Sequence, residues 1–423
     1  MTMASPRPAS TSARPSPSRS LVELTALLGF MMSLSAFSTD GMLPALHDLA
    51  VFFGVSDTQA QLVVNLYFFG FAVGQLFFGP LSDRFGRRRV LLVSTSGFLT
   101  CALALVVAPT FTVVLTVRFI QGLFGAALRS VGTALVRDFY RGEAMARVLS
   151  FALMVLLIAP VFAPSIGVFL LRWGWRAPFS LIAVLAGLLL AWLTARLPES
   201  LPPERRRPLS FTQLAAAARL VLNTPPSLAL TAVMGCSYGI LYAYLTSAAQ
   251  LYREHFQFSN TAFALAFAGT GLGQVCGTFL NGLAITRLGL RRVLPWAVGG
   301  VAVAAAGLLV AGLLGAQPVV YWFLLTLVFF GIALVFSNAN SAALEPLGEI
   351  AGFASSVIGF TSTVMANLFG LVIGQAAQGG PRGFALGIML LALGSLASLL
   401  VAQRAGWGRE RTHAAAASPA RGD

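Results

Sequence analysis

Along this chain polar residues are gathered into short stretches, and between them run apolar segments of spanning length. The apolar runs show neither two-residue alternation nor a narrow helical stripe, so each is apolar all round. About 20 such residues make a helix that crosses the hydrocarbon of a bilayer. Twelve segments of that kind are predicted, at 21–46, 58–81, 89–108, 111–135, 148–171, 177–196, 226–249, 260–285, 292–314, 318–345, 351–378 and 383–403. An all-α membrane protein follows, because a helix satisfies its own backbone hydrogen bonds in lipid.

The pattern repeats. A glycine-rich, basic connection from Gly79 to Arg89 returns from Gly282 to Arg292, a step of 203 residues. The same step carries Gly70 onto Gly273, Gly74 onto Gly277, Gly86 onto Gly289, and Arg84, Arg88 and Arg89 onto Arg287, Arg291 and Arg292. Duplicated sets of membrane helices are how many secondary transporters are built.

Composition agrees with lipid as the solvent: 57% of the 423 residues are hydrophobic and 10% are charged. A net charge of +14 suggests nucleic acid in a soluble protein, but its distribution here points elsewhere. All 28 basic residues are arginine. With the N-terminus inside, 22 of them fall on cytoplasmic stretches and four, Arg172, Arg176, Arg253 and Arg382, fall outside. The positive-inside rule then places both termini in the cytoplasm, and the basic balance needs no nucleic-acid partner. The predicted location is a bacterial inner membrane.

The polar stretches divide the chain. Residues 1–20 and 404–423 read as disordered cytoplasmic tails, 21–196 and 226–403 as two six-helix bundles, and 197–225 as a Pro- and Arg-rich cytoplasmic linker. Cys101, Cys236 and Cys276 lie in apolar runs, which implies no disulfide framework. His47, His255 and His413 have no metal spacing, so no metal, no other cofactor and no enzyme chemistry is expected. The expected partners are protons, lipid and a small-molecule substrate, with a monomer as the working unit.

A few polar residues interrupt the apolar runs, and these are the candidates for chemistry. Asp40 is followed by Pro44, which cannot donate to the carbonyl of residue 40, so the helix opens beside the carboxylate. Position alone leaves Asp40 either functional or interfacial. In the fourth run Arg118, Gly122, Gly125 and Arg129 share a face, with Gln121 beside them. Arg118 lies deep enough to need a partner or a wet cavity; Arg129 lies nearer the cytoplasmic boundary, where a long side chain can snorkel. Pro160 and Pro164, with Gly167, bend the fifth run, as a packing kink or as a coupling device. Tyr67, Tyr238 and Tyr242 are candidate cavity residues or members of an interfacial belt. Asp83 sits at the negative end of the second run's dipole and needs an arginine or another helix's N-terminus.

Gly79-x-Leu81-x-Asp83-Arg84-x-Gly86-Arg87-Arg88 resembles the signature loop of the major facilitator superfamily. Arg118-x-x-Gln121-Gly122 resembles that family's fourth-helix motif, and Ala159-Pro160 with Ala163-Pro164-Ser165-Ile166-Gly167 resembles the fifth-helix motif of its antiporters. Ser38-Thr39-Asp40-x-x-Leu43-Pro44-Ala45 and the run from Ala351 to Phe360 resemble the first and eleventh helices of Bcr/CflA-type drug:proton antiporters. The resemblance implies proton-coupled efflux of small amphipathic compounds by alternating access. It implies Asp40 and Arg118 as coupling residues, and Asp40, Tyr67, Gln121, Tyr238 and Tyr242 in the cavity. It also implies Gly79, Asp83, Arg84, Gly86 and Arg87 as a latch toward the eleventh helix. A metabolite exporter or a proton-coupled importer on the same scaffold is the alternative, since fold does not fix substrate or direction.

Overall fold

The structure, a computed structural model, describes residues 21–140, 145, 148, 155, 162–206 and 211–408. It is helical. The helices are α1 (Leu21–Asp40), α2 (Leu46–Phe53), α3 (Asp57–Phe85), α4 (Arg87–Val106), α5 (Phe111–Phe139), α6 (Phe162–Trp173), α7 (Ala177–Arg196) and α8 (Phe211–Leu222). They continue with α9 (Pro225–Ala249), α10 (Asn260–Leu288), α11 (Leu290–Leu314), α12 (Pro318–Leu344), α13 (Ala351–Ala376) and α14 (Pro381–Arg404). Among the described residues, eleven helical stretches are long and apolar enough to cross a membrane. Half of the fifth predicted run lies outside the described residues, and the rest is represented by α6 and the single positions 148 and 155.

Two boundaries differ from the pattern-based reading. The first span does not end at residue 46: after a one-turn break at Leu43–Ala45 it resumes as α2 to Phe53, and the whole from Thr25 to Phe53 reads as one candidate span. The stretch read as a Pro- and Arg-rich linker contains α8, a 12-residue amphipathic helix that packs on α9 and α13. Its leucines and alanines recur at helical spacing within a segment judged by its prolines and arginines.

Packing follows the duplication. Helices α1, α3, α4, α5 and α7 pack among themselves, as do α9 to α14, and α3 against α13 joins the two sets. The repeated glycines do equivalent work in each. A Cβ on Gly70 or Gly74 would strike the α5 backbone at Phe119 and Leu123, and a Cβ on Gly273 or Gly277 would strike α12 at Thr326 and Phe330. Without side chains there, the crossing backbones come close enough to replace the missing hydrophobic drive with dispersion. Gly86 (φ 96°) and Gly289 (φ 77°) turn the two basic loops through a backbone region that L side chains rarely adopt.

The α3–α13 seam is polar along its length, in antiparallel register. Gly79 faces Ser356; Gln75 Nε2 donates to Thr363 Oγ1 at 3.0 Å; Asn367 Nδ2 donates to the Asn65 carbonyl at 3.0 Å; Gln61 meets Gly374. Arg196 pairs with Glu23 at 3.3 Å, so the start of α1 and the end of α7 share the end of the molecule that carries the basic loop. At the opposite end Arg176 lies over Phe52 and Trp175 and donates to the Val106 carbonyl.

Candidate functional site

Asp40 is the last residue of α1, and the break behind it has a visible cause. Gly41 N–H still reaches the Phe37 carbonyl at 3.0 Å, but Pro44 cannot continue the ladder, and a 3-10 turn takes over. The break is held by α6: a Cβ on Gly167 would strike the Gly41 carbonyl and crowd Pro44. Pro164 is buried one turn earlier. Pro160, the other proline of the expected kink, lies outside the described residues. The fifth run's glycine thus seats the first run's opened turn, a contact that no spacing within one helix reveals.

The candidate span runs on to Phe53, thirteen residues past Asp40. Asp40 is 4% exposed and accepts a hydrogen bond from Thr39 Oγ1 at 3.2 Å. Among the described residues it makes no ion pair.

Arg118 is fully buried, and its partners are uncharged. Nε donates to the Val63 carbonyl (3.1 Å); Nη1 donates to Gln121 Oε1 (2.8 Å) and to Ser38 Oγ (3.2 Å); the guanidinium lies 4.4 Å from the Tyr67 ring centre. Nη2 donates to no described residue. No ion pair joins Arg118 to Asp40 among the described residues, and the Tyr67 hydroxyl bonds to Ser35 Oγ at 2.7 Å. Gly122 and Gly125 make room for this, since a Cβ on either would meet Tyr67. Tyr67 and Gln121, expected to line the cavity, are sealed in packing at 1% and 0% exposure.

The other two tyrosines lie where the two helix sets meet. Phe68 stacks on Tyr242 with centres 3.9 Å apart, Tyr242 follows Tyr238 at 6.1 Å, and Tyr238 meets Phe336 at 4.0 Å. Arg129 is an exposed residue of α5.

At the basic end, Asp83 finds its cation within its own loop. Arg87 Nη1 pairs with Asp83 at 2.6 Å, Arg87 Nε pairs with Asp138 of α5 at 3.1 Å, and the Arg87 amide donates to Glu199 Oε1 at 2.9 Å. Arg84 lies over Phe85. Of the two partners open to Asp83, an arginine or another helix's N-terminus, the arginine of its own loop is the one present, and Gly79 is the loop residue that faces α13. Asp138 and Glu199 were missed in the sequence; both flank apolar runs, where a carboxylate beside an arginine cluster is the available signal. A cleft of 480 Å³ opens at the opposite end between His47, Asp57, Gln61, Gln250, Arg253 and Glu254, and Asp40 does not line it.

Known proteins agree with this architecture. The chain is 28% identical over 350 residues to the bicyclomycin resistance protein homolog of Haemophilus influenzae, covering 82% of this chain and 87% of that protein. It is 28% identical over 389 residues to multidrug resistance protein D of Escherichia coli, covering 89% and 94%. The structure aligns with the xylose transporter XylE of E. coli in a partially occluded inward-open conformation, with a TM-score of 0.70 and 14% identity over 91% of this chain and 97% of that one. A peptide transporter, POT, solved in complex with sulfate, aligns with a TM-score of 0.72 and 16% identity over 91% and 95%. The sequence model of the Major Facilitator Superfamily matches residues 26–371, and with that span and this fold the chain belongs to the Major Facilitator Superfamily.

Proposed function

We propose that the chain exports small amphipathic compounds, antibiotics among them, across a bacterial inner membrane in exchange for protons. The printed names of its relatives, bicyclomycin resistance and multidrug resistance, support the substrate class. In this reading twelve helices form two six-helix bundles, 21–196 and 226–403, joined by 197–225, with both termini cytoplasmic and a monomer as the unit. The bundles rock about a central cavity, and the proton gradient, with no bound cofactor, drives the cycle.

The observation that carries the reading is Asp40: a buried carboxylate without a cation, at a broken turn that α6 holds open. A carboxylate taken out of water is neutralised by a proton or by an opposite charge. Asp40 lacks the charge, so it carries the proton. Arg118, whose Nη2 donates to no described residue, is the group we assign to stabilise the ionised form once the proton leaves. Proton and substrate then favour different states of one site, which is the negative coupling that exchange requires.

The test is Asp40→Asn, close to isosteric and a mimic of the protonated form. Purified protein is expected to keep its fold but lose substrate-induced proton release and uphill export from proteoliposomes. If the variant still releases protons and still transports against a gradient, the coupling acid is another residue.

A further inference from the structure

Helix α8 has two apolar sides, and one of them is left uncovered. Ala217 and Val221 are each 1% exposed, and α8 packs on α9 and α13. Ala215, Ala218 and Leu222, spaced by three and four residues, form the other side. That side lines a groove of 370 Å³ whose further walls are Leu76 of α3 and Val357 and Phe360 of α13. Thr361 is the one polar residue among those lining it. Leu222 is 57% exposed and Ala215 is exposed as well, so the groove has walls but no cover.

Its rim carries a charge. Arg219 is exposed and comes four residues after Ala215 and three before Leu222, which puts it on the same side of α8. Among the described residues no carboxylate forms an ion pair with it. Nearby acids are spent on other arginines: Asp83 and Asp138 on Arg87, Glu23 on Arg196, Glu345 on Arg291. The depth of the groove is also informative. Helix α3 has 29 residues, a length of about 44 Å, which exceeds the hydrocarbon of a bilayer by about 14 Å. Shared between the two ends, that excess puts Leu76, nine residues before the end at Phe85, about 7 Å inside the hydrocarbon. The groove therefore lies where acyl chains begin, and a long arginine side chain on its rim reaches the headgroup layer. An apolar slot at that depth beside an unpaired guanidinium fits a molecule with a fatty chain and an anionic head.

We propose that the groove beneath α8 binds an anionic phospholipid, with one acyl chain along Ala215, Leu222, Leu76 and Phe360 and the headgroup phosphate on Arg219. Leu76 is one turn from Gly79 and Val357 follows Ser356, so the seated chain touches both helix sets beside the Gly79–Ser356 contact. The proposal needs only that the protein spans a membrane, and it stands apart from the efflux reading.

The experiment titrates the purified full chain in detergent, by native mass spectrometry, with dioleoyl phosphatidylglycerol, dioleoyl phosphatidylcholine and the chain-free headgroup glycerophosphoglycerol. One phosphatidylglycerol is expected to bind at least about five-fold more tightly than phosphatidylcholine, the worth of one arginine at an anionic lipid surface. The bare headgroup is expected not to bind. Arg219→Gln is expected to bring the two lipids within about two-fold of each other. Arg404→Gln, at an exposed arginine ending α14, is expected to leave the preference intact. Ala215→Trp places its bulk in the groove from an exposed position and is expected to remove the tight site. If Ala215→Trp unfolds the chain, Leu222→Gln takes its place, with phosphatidylglycerol expected to bind about five-fold more weakly. Equal binding of the two lipids, a series of equivalent sites in place of one tight one, or a headgroup that binds as well as the lipid each overturns the proposal. So does a preference that survives Arg219→Gln, or a tight site that survives Ala215→Trp. A groove covered by a second copy of the chain would show doubled mass and no tight lipid site, which overturns it too. No step of the assay involves transport, so its failure leaves the efflux reading standing.

Discussion

Arg118 shows how much a single side chain can demand of its neighbours. Its Nε and Nη1 reach three helices' worth of acceptors, and its flat face covers Tyr67. A lysine offers one compact charge and no fork, so Arg118→Lys leaves the Val63 carbonyl or Gln121 amide without a donor. We expect Arg118→Lys to cost about 1.5–3 kcal/mol, the worth of a buried hydrogen bond to a charged group, read as a lower unfolding midpoint in detergent. An unchanged midpoint would show that the enclosure is not specific for a guanidinium. That Arg118 needed partners was legible from its place in an apolar run. Their neutrality was not, because Ser38, Val63 and Tyr67 come from two other helices. The same limit applies to Asp40, whose helix-opening proline is local while its cover, Gly167, lies 127 residues away.

At the level of elements, the duplicated loops are alike in backbone and unlike in chemistry. Gly86 and Gly289 share a positive φ, but a Cβ at Gly86 would also strike the Glu199 carboxylate, whereas a Cβ at Gly289 meets nothing within 4 Å. Gly289→Ala should therefore cost only backbone strain, about 1–3 kcal/mol. Gly86→Ala should cost more, because it also displaces the acceptor of the Arg87 amide. Equal shifts in unfolding midpoint would show that the clasp adds nothing to the turn. In transport, Asp83→Asn should leave insertion intact and slow the cycle strongly, while Thr286→Asn should do much less, since Thr286 bonds only to its own helix at Leu283. Equal effects at the two sites would reduce both loops to topology signals. The 203-residue step made the loops legible as elements. Their inequality was visible in part, as an acid in one copy and a threonine in the other. The third and fourth members of the clasp were not, because Asp138 and Glu199 reach it through tertiary packing. Helix α8 stayed hidden for a different reason: the prolines and arginines around it outweighed a short apolar periodicity.

For the molecule as a whole, α3 against α13 is the seam that the proposed alternating access would have to part. Because Gly79 faces Ser356 closely enough that a Cβ there would lie 3.6 Å from its hydroxyl, the pair Gly79→Cys with Ser356→Cys should form a disulfide. The bond is expected to arrest transport and reductant to restore it; free turnover of the cross-linked protein would mean that this end of the seam never opens. Topology is checked by reporter fusions, which should read cytoplasmic after Arg206 and Arg292 and periplasmic near Arg176 and Arg253. A periplasmic signal after Arg206 would break the division into two bundles. The Arg87 clasp also has a consequence in time. A chain made from its N-terminus presents Asp83 and Arg87 first, Asp138 some fifty residues later, and Glu199 only after the whole of α7 has left the ribosome. The clasp can therefore close no earlier than the completion of the first half, and before most of the second half exists. The first helix set is fastened during synthesis, and the later helices are inserted against a partner that is already locked.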